Sequence, residues 1–255
     1  MKFIVLALLV LISPKITTAL KNLKDLSLQP EKIDKKTLPP PLEIKSYNSL
    51  LMAVSWTSLS SQKEKSQTFE PNTYTIHGLW PVNYTSAKSD PCNDHMEIQV
   101  NLDDEPDLKK KMIKYWATSR KNSTNEKFWT HEYNKHGYCY TRKEFKSSEP
   151  KKYFKDAISF FEKKKYYKLI QNIFGAPTNE PKKITVKEFK AKIKEKLGQD
   201  EKIVLRCVEF KKKKYVELTG IYFYYEPNFT PLKAEPFQEG ICTKDETVIT
   251  IWYKL

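Results

Sequence analysis

Phe128-Trp129-Thr130-His131-Glu132-Tyr133-Asn134-Lys135-His136-Gly137-Tyr138-Cys139 places two of the chain's four histidines beside a glutamate, a lysine and a cysteine. If residues 128–136 are helical, Glu132 and His136 lie four apart on one face, and His131 and Lys135 form a second pair beside them. Gly137 then stands where a helix can end in a left-handed cap. This stretch predicts a helix that carries reactive groups, because a core requires no such chemistry.

A metal centre is the first alternative for this stretch, and the spacing disfavours it. Two histidines that share a metal on one helix face are four apart, whereas His131 and His136 are five apart and so about 140° apart around the helix. Lys135 would also place a positive charge beside a bound cation. We therefore predict no metal.

The same side chains suit proton transfer and charge stabilisation at a phosphoryl group. A histidine can serve as base in one step and acid in another, while a lysine and an acid hold or polarise the phosphoryl oxygens. This chemistry requires a second histidine from elsewhere. The chain supplies His77 within Thr75-Ile76-His77-Gly78-Leu79-Trp80-Pro81, where an alternating pattern predicts a strand.

The two segments 75–81 and 131–139 resemble the active-site segments of the ribonuclease T2 family, which includes fungal acid ribonucleases and plant S-type and S-like ribonucleases. The first matches at all seven residues, and the second matches at its His, Glu, Lys, His, Gly and Cys in the same register. Outside these two segments the resemblance is looser, and it extends from about Tyr47 to the C-terminus.

The resemblance implies a metal-independent endoribonuclease that needs no cofactor and cleaves single-stranded RNA. It assigns His136 as the base and His77 as the acid of a transphosphorylation that yields a 2′,3′-cyclic phosphate, which is then hydrolysed to a 3′-phosphate. Glu132 and Lys135 match the positions that stabilise the pentacoordinate transition state, and His131 the one that holds the phosphate. The residues alone leave open which histidine plays which part.

Two aromatic residues are expected to bind bases. Trp80 resembles a base-stacking residue of the family, and Phe128 is expected to stack on the base across the scissile bond. Both could equally be core aromatics. Some family members carry an acidic base-contacting residue just after the first segment, whereas Val82 follows Pro81 here, so the base preference stays open.

The composition and the first residues predict a secreted, basic, single-domain protein. The formal charge of +14 favours a polyanion such as RNA, although lysine-rich surfaces are often merely soluble. Residues 1–19 have the pattern of a secretory signal peptide, with an uncleaved anchor as the alternative, and no later stretch is apolar enough to span a membrane. Residues 20–46 are expected to be a poorly ordered extension, and residues 47–255 the catalytic domain.

The patterning predicts an α+β fold in which helices pack to one side of a central antiparallel sheet, as the resemblance also implies. A capping box at Thr185 and Glu188 starts one of the helices, and Gly198 ends it. Strands are predicted at 47–56, 74–80, 203–210, 215–225 and 247–253, and helices at 108–118, from 150 onward and at 186–197.

Four cysteines behind a signal peptide predict disulfides, with free thiols as the alternative. Four cysteines allow three pairings, and the resemblance implies Cys92 with Cys139 and Cys207 with Cys242. The sequons at Asn83, Asn122 and Asn228 predict glycosylation.

We expect a monomer that is secreted or delivered to a lysosome or vacuole. The rival hypothesis is a secreted RNA-binding or partner-binding protein, cytotoxic or acting in recognition, whose ribonuclease activity is incidental or lost. Retention of His77, Glu132, Lys135 and His136 speaks against that loss.

Overall fold

The structure is a computed structural model of the chain. It describes residues 47–57, 73–85, 98–118, 123–145, 149–178, 180–211 and 214–252. The predicted signal peptide and N-terminal extension lie outside these residues. None of the described helices has the length and apolar character needed to cross a membrane.

Six strands and six α-helices make up the described secondary structure. The strands are β1 Ser49–Thr57, β2 Thr73–Val82, β3 Lys182–Thr185, β4 Lys202–Phe210, β5 Tyr215–Tyr225 and β6 Val248–Ile251. The helices are α1 Pro106–Tyr115, α2 Asn125–Glu132, α3 Tyr138–Phe145, α4 Pro150–Lys164, α5 Leu169–Phe174 and α6 Val186–Leu197. A π-helical turn, Tyr133–Gly137, joins α2 to α3, and 3₁₀ turns lie at Tyr166–Lys168 and Ile241–Thr243.

The strands form one sheet in the order β2-β1-β5-β6-β3, and β4 pairs with the other edge of β5. The predicted α+β fold around a central sheet is confirmed. The sheet is mixed rather than wholly antiparallel, because β6 runs parallel to β5, with Val216 opposite Ile249. The long connection from Tyr225 to Val248 brings the chain back in the same direction, as a parallel pair requires.

The two faces of the sheet have different partners. Alternate residues of β1, from Leu50 to Trp56, enter the main core together with the buried faces of the helices. The opposite face carries a small apolar cluster to which none of the described helices contributes. We call it the open face; its cluster comprises Leu51, Ala53 and Val82, with Trp80, Tyr222 and Tyr224 packed against them. Helices therefore pack on one side, as predicted.

The predicted signals at the start of α4 and at both ends of α6 are confirmed. Thr185 and Glu188 form the predicted capping box, and Gly198 follows α6 with φ of 133°. Pro150 occupies the first turn of α4, where its missing N–H costs no hydrogen bond. The short strand β3 was not predicted, because four residues are too few to show an alternation.

A disulfide joins Cys207 to Cys242, with the Cα atoms 6.1 Å apart. This is the pair that the resemblance implied. It ties the 3₁₀ turn before β6 to β4, and closing a loop of this size stabilises the fold by about 4 kcal/mol in the chain-entropy model. Cys139 is buried and disulfide-bonded. Its predicted partner, Cys92, lies outside the described residues, so that pairing stays a prediction.

Candidate active site

His77 occupies a β-bulge in β2. Ala53 of β1 lies opposite Gly78, and Val54 lies opposite Ile76, so His77 is an extra residue between two paired ones. A bulge of this kind bends the strand and changes the direction of a side chain, and bulges are common beside active sites. It places the imidazole on the same face as Ser55, whose Oγ lies 3.3 Å from His77 Nδ1.

Helix side chains hold the backbone of the bulge. Trp116 donates its indole N–H to the carbonyl of His77 at 2.8 Å. Tyr153 of α4 accepts a hydrogen bond from the amide of Leu79 at 3.2 Å and donates its hydroxyl to the carbonyl of the same residue at 3.0 Å. Both side chains are buried, so β2 is fixed by the core as well as by β1.

The segment quoted at the start is helical, but it does not end where we predicted. Thr124 caps α2 by accepting a hydrogen bond from the amide of Lys127. The helix passes through the π turn, in which the amide of Tyr138 bonds to the carbonyl of Tyr133, and continues as α3. The predicted left-handed cap at Gly137 is therefore wrong.

Gly137 allows close packing between helices and does not end its own helix. A Cβ at this position would lie 2.6 Å from Cδ2 of Tyr133 and 2.7 Å from Cδ1 of Tyr153, closer than side chains tolerate. The residue lets the π turn press against α4, which also carries the Tyr153 hydroxyl that holds β2. Turns of the π type occur mostly as single insertions within α-helices, frequently at functional sites.

Glu132 and Trp80 connect the two segments. The Glu132 carboxylate is 2% exposed; its Oε2 accepts a hydrogen bond from Trp80 Nε1 at 2.9 Å, and its Oε1 lies 3.6 Å from His77 Nε2. His136 is buried and stacks on the Trp80 ring at 4.8 Å between centroids. Glu132 and His136 thus share one helix face, as the four-residue spacing predicted, and that face meets His77.

The other predicted residues surround this centre. Phe128 lies edge-to-face on His77 at 5.7 Å, and Trp80 does so at 5.3 Å, so both aromatics contact the imidazole. His131 and Lys135 are exposed, and both lie close enough to His136 to affect its pKa. Ser55 was missed by sequence reasoning, because a serine in a predicted strand gives no signal that a histidine lies beside it.

The pKa of His136 is lowered from 6.5 to about 3, chiefly by burial and further by repulsion from Lys135, His131 and His77. The imidazole is therefore neutral across the neutral and mildly acidic range. A neutral ring can accept a proton, which the base in a cleavage reaction must do.

This shift predicts a pH-dependent stability. Between about pH 6.5 and 3 the unfolded chain binds a proton at His136 that the folded chain does not, so the free energy of unfolding should fall by about 1.4 kcal/mol per pH unit as the pH is lowered through this window. Urea unfolding of the native protein and of His136→Gln from pH 7 to pH 4 measures the difference. The native curve should have the steeper slope, and parallel curves would contradict the prediction.

Two predicted glycan acceptors are described, and each has the same local geometry. The Oδ1 atoms of Asn83 and Asn228 accept hydrogen bonds at 2.7 Å from the hydroxyls of Thr85 and Thr230. Asn122 lies outside the described residues. Glycosylation at all three positions stays a prediction.

Comparisons with known proteins show which family the chain belongs to. The model of the Ribonuclease T2 family matches residues 47–246. Ribonuclease Oy of Magallana gigas is 30% identical over 175 residues, which span 66% of this chain and 78% of that protein. Ribonuclease T2 of Homo sapiens is 32% identical over 117 residues, or 45% of this chain and 43% of that protein.

Solved structures show the same fold. The S-like ribonuclease trichomaglin superimposes with a TM-score of 0.60 at 20% identity, covering 80% of this chain and 98% of that one. The Japanese pear S3-RNase gives a TM-score of 0.61 at 18% identity, covering 80% of this chain and all of the other. The chain belongs to the ribonuclease T2 family, and it has the fold and motifs of a T2-type endoribonuclease.

Proposed function

We propose that this protein is a secreted, metal-independent endoribonuclease that cleaves single-stranded RNA by transphosphorylation and then hydrolyses the cyclic product. The observation that carries the proposal is the convergence of His77, Glu132 and His136, from segments about fifty residues apart, around the Trp80 indole. Lysosomal or vacuolar delivery is the alternative to secretion.

RNA supplies its own nucleophile, the 2′-hydroxyl, so the protein must remove one proton, deliver another and stabilise charge. His136, neutral through its burial, accepts the 2′-hydroxyl proton. The 2′-oxygen attacks phosphorus, and the bond to the 5′-oxygen breaks as His77 donates a proton to it. In the hydrolysis step the roles exchange, since a water is deprotonated and the 2′-oxygen leaves as a hydroxyl.

The surroundings of each histidine support these roles. Glu132 stabilises a protonated His77 from 3.6 Å, and Ser55 Oγ can accept from a protonated Nδ1 or donate to a neutral one. The exposed side chains of Lys135 and His131 can donate hydrogen bonds to the phosphoryl oxygens, and Lys135 adds a positive charge. A bound phosphate would offset the repulsion that these groups exert on His136 and raise its pKa in the complex, towards the range of an effective base.

The two aromatics that contact His77 are suited to bases next to the scissile phosphate. Trp80 and Phe128 each contact the imidazole edge-to-face, and stacking on aromatic rings tolerates any base. Position 82 is a valine, not a glutamate or aspartate, so we expect weak discrimination among the bases that stack on Trp80.

Metal independence is tested by digesting a short single-stranded RNA with the purified protein in excess EDTA, from pH 4 to pH 8. We expect the same rate with and without chelator, because the site supplies its own acid, base and cations. Glu132→Gln should lower the rate in both conditions. Loss of cleavage in EDTA and its return on adding a divalent cation would contradict the proposal; RNA binding without cleavage at any pH would favour a binding protein instead.

A further inference from the structure

Tyr222 on the open face connects the active site to an arginine. Its ring meets the Trp80 indole edge-on at 5.5 Å, and the guanidinium of Arg206 lies over it, 5.3 Å from the ring centroid. The chain of contacts therefore runs from Glu132 through Trp80 and Tyr222 to Arg206. Arg206 is one of only three arginines, in a chain whose positive charge is otherwise carried by lysine.

The strand register places small residues between His77 and Arg206. On the open face, Gly220 lies opposite Ser55 on one side and opposite Arg206 on the other, and Ala53 lies opposite Tyr222. A Cβ at Gly220 would lie 2.6 Å from the Val54 carbonyl oxygen, so the strands approach too closely for a larger residue.

This register defines a shallow trough. Its floor is Ser55, Ala53 and Gly220, and it extends from His77 on β2 to Arg206 on β4. β2 and β4 are three strand spacings apart, so their backbones are separated by about 14 Å. The distance between the imidazole and the guanidinium is shorter, because both side chains extend into the trough. An extended polynucleotide can lie across such a floor.

Among the described residues, the guanidinium of Arg206 forms no ion pair with a carboxylate. Within the described part of the chain, no acidic oxygen lies within the 4.0 Å ion-pair distance of its guanidinium, and its side chain is partly exposed. Two acids interact electrostatically with Tyr222: Glu132, which accepts the hydrogen bond from Trp80, and the exposed Glu239. An arginine stacked on an aromatic ring keeps its N–H groups directed outward, which suits phosphate.

We propose that Arg206 binds a second phosphate of the RNA chain, next to the scissile one, across the trough from His77. This inference rests on the proposed ribonuclease function and adds to it a contact for substrates longer than two nucleotides. The tyrosine positions the guanidinium, and the small residues leave room for the sugar between the two phosphates.

The test compares two substrates with the native protein and Arg206→Ala. A dinucleoside monophosphate has only the scissile phosphate, whereas a tetranucleotide has a phosphate on each side of it. We expect Arg206→Ala to lower kcat/KM for the tetranucleotide about tenfold and to leave the dinucleoside value unchanged. The slope of log kcat/KM against log salt for the tetranucleotide should become shallower by about 0.7, as for one lost phosphate contact to a single strand.

Two controls accompany it. Lys196→Ala removes one positive charge from the exposed side of α6 and should leave kcat/KM unchanged for both substrates. Arg206→Lys keeps the charge and should recover part of the loss. Equal losses on both substrates would mean that Arg206 acts only by supporting Tyr222 and Trp80, and no loss on either would mean that it binds no phosphate; each result overturns the inference. A native protein inactive on both substrates would instead refute the proposed function.

Discussion

Replacing His77 by alanine is expected to lower kcat/KM for single-stranded RNA by about 10³-fold while changing the free energy of unfolding by less than about 0.5 kcal/mol. The loss is expected because His77 is the proposed acid that protonates the leaving 5′-oxygen. The stability is spared because the His77 side chain is 44% exposed, and its backbone, not its ring, is held by Trp116. Steady-state kinetics and urea unfolding on the same preparation measure both quantities.

A substrate with a better leaving group sharpens this prediction. In uridine 3′-(4-nitrophenyl phosphate) the leaving group is 4-nitrophenolate, which needs no proton. If His77 protonates the 5′-oxygen of RNA, His77→Ala should therefore lose far less activity on this substrate than on RNA. His136→Ala should lose activity on both substrates, because the 2′-hydroxyl must be deprotonated in either case. Equal losses in His77→Ala would contradict its role as the acid.

Gly78→Ala is expected to lower kcat/KM by about 10²-fold. A Cβ at this position would lie 1.9 Å from Trp80 Nε1 and 2.5 Å from Glu132 Oε2, the two atoms of the hydrogen bond that joins the segments. The indole must move, and with it the surface on which His136 stacks. Overpacking of this kind costs about 1–3 kcal/mol of stability, which urea unfolding measures.

Trp80→Phe is the matched variant, because it keeps an aromatic ring but removes the N–H donor. It should lose less activity than Gly78→Ala, since Glu132 keeps His77 as a neighbour and the ring still covers His136. If Gly78→Ala were as active as the native protein, the hydrogen bond between Trp80 and Glu132 would not organise the site.

The helix face that carries the site was predictable from the spacing of its residues, whereas the end of the helix was not. The four-residue separation of Glu132 and His136 predicts a shared face, and the structure places both on the buried side beside Trp80. Gly137 misled the prediction, because a glycine after a helical pattern usually marks a cap. A glycine is needed here because Tyr153 of a distant helix approaches closely, and local sequence does not reveal that contact.

The direction of His77 depended on tertiary structure in the same way. Alternation predicts that β2 is a strand, but the bulge exists only relative to β1, where Ala53 and Val54 pair with Gly78 and Ile76. The hydroxyl of Ser55 and the indole of Trp116 reach His77 through that pairing and through helix packing. Sequence therefore predicted the candidate reactive groups, while the register and the core decide how they face one another.

A DNA oligonucleotide with a single ribonucleotide tests the central claim most directly. Incubated in excess EDTA, it should be cut only after the ribonucleotide, and mass spectrometry should show a 2′,3′-cyclic phosphate that converts to a 3′-phosphate, with a 5′-hydroxyl on the downstream fragment. His136→Ala should give neither product. Cleavage of the all-deoxy oligonucleotide, or a 5′-phosphate on the downstream fragment, would contradict the two-histidine mechanism.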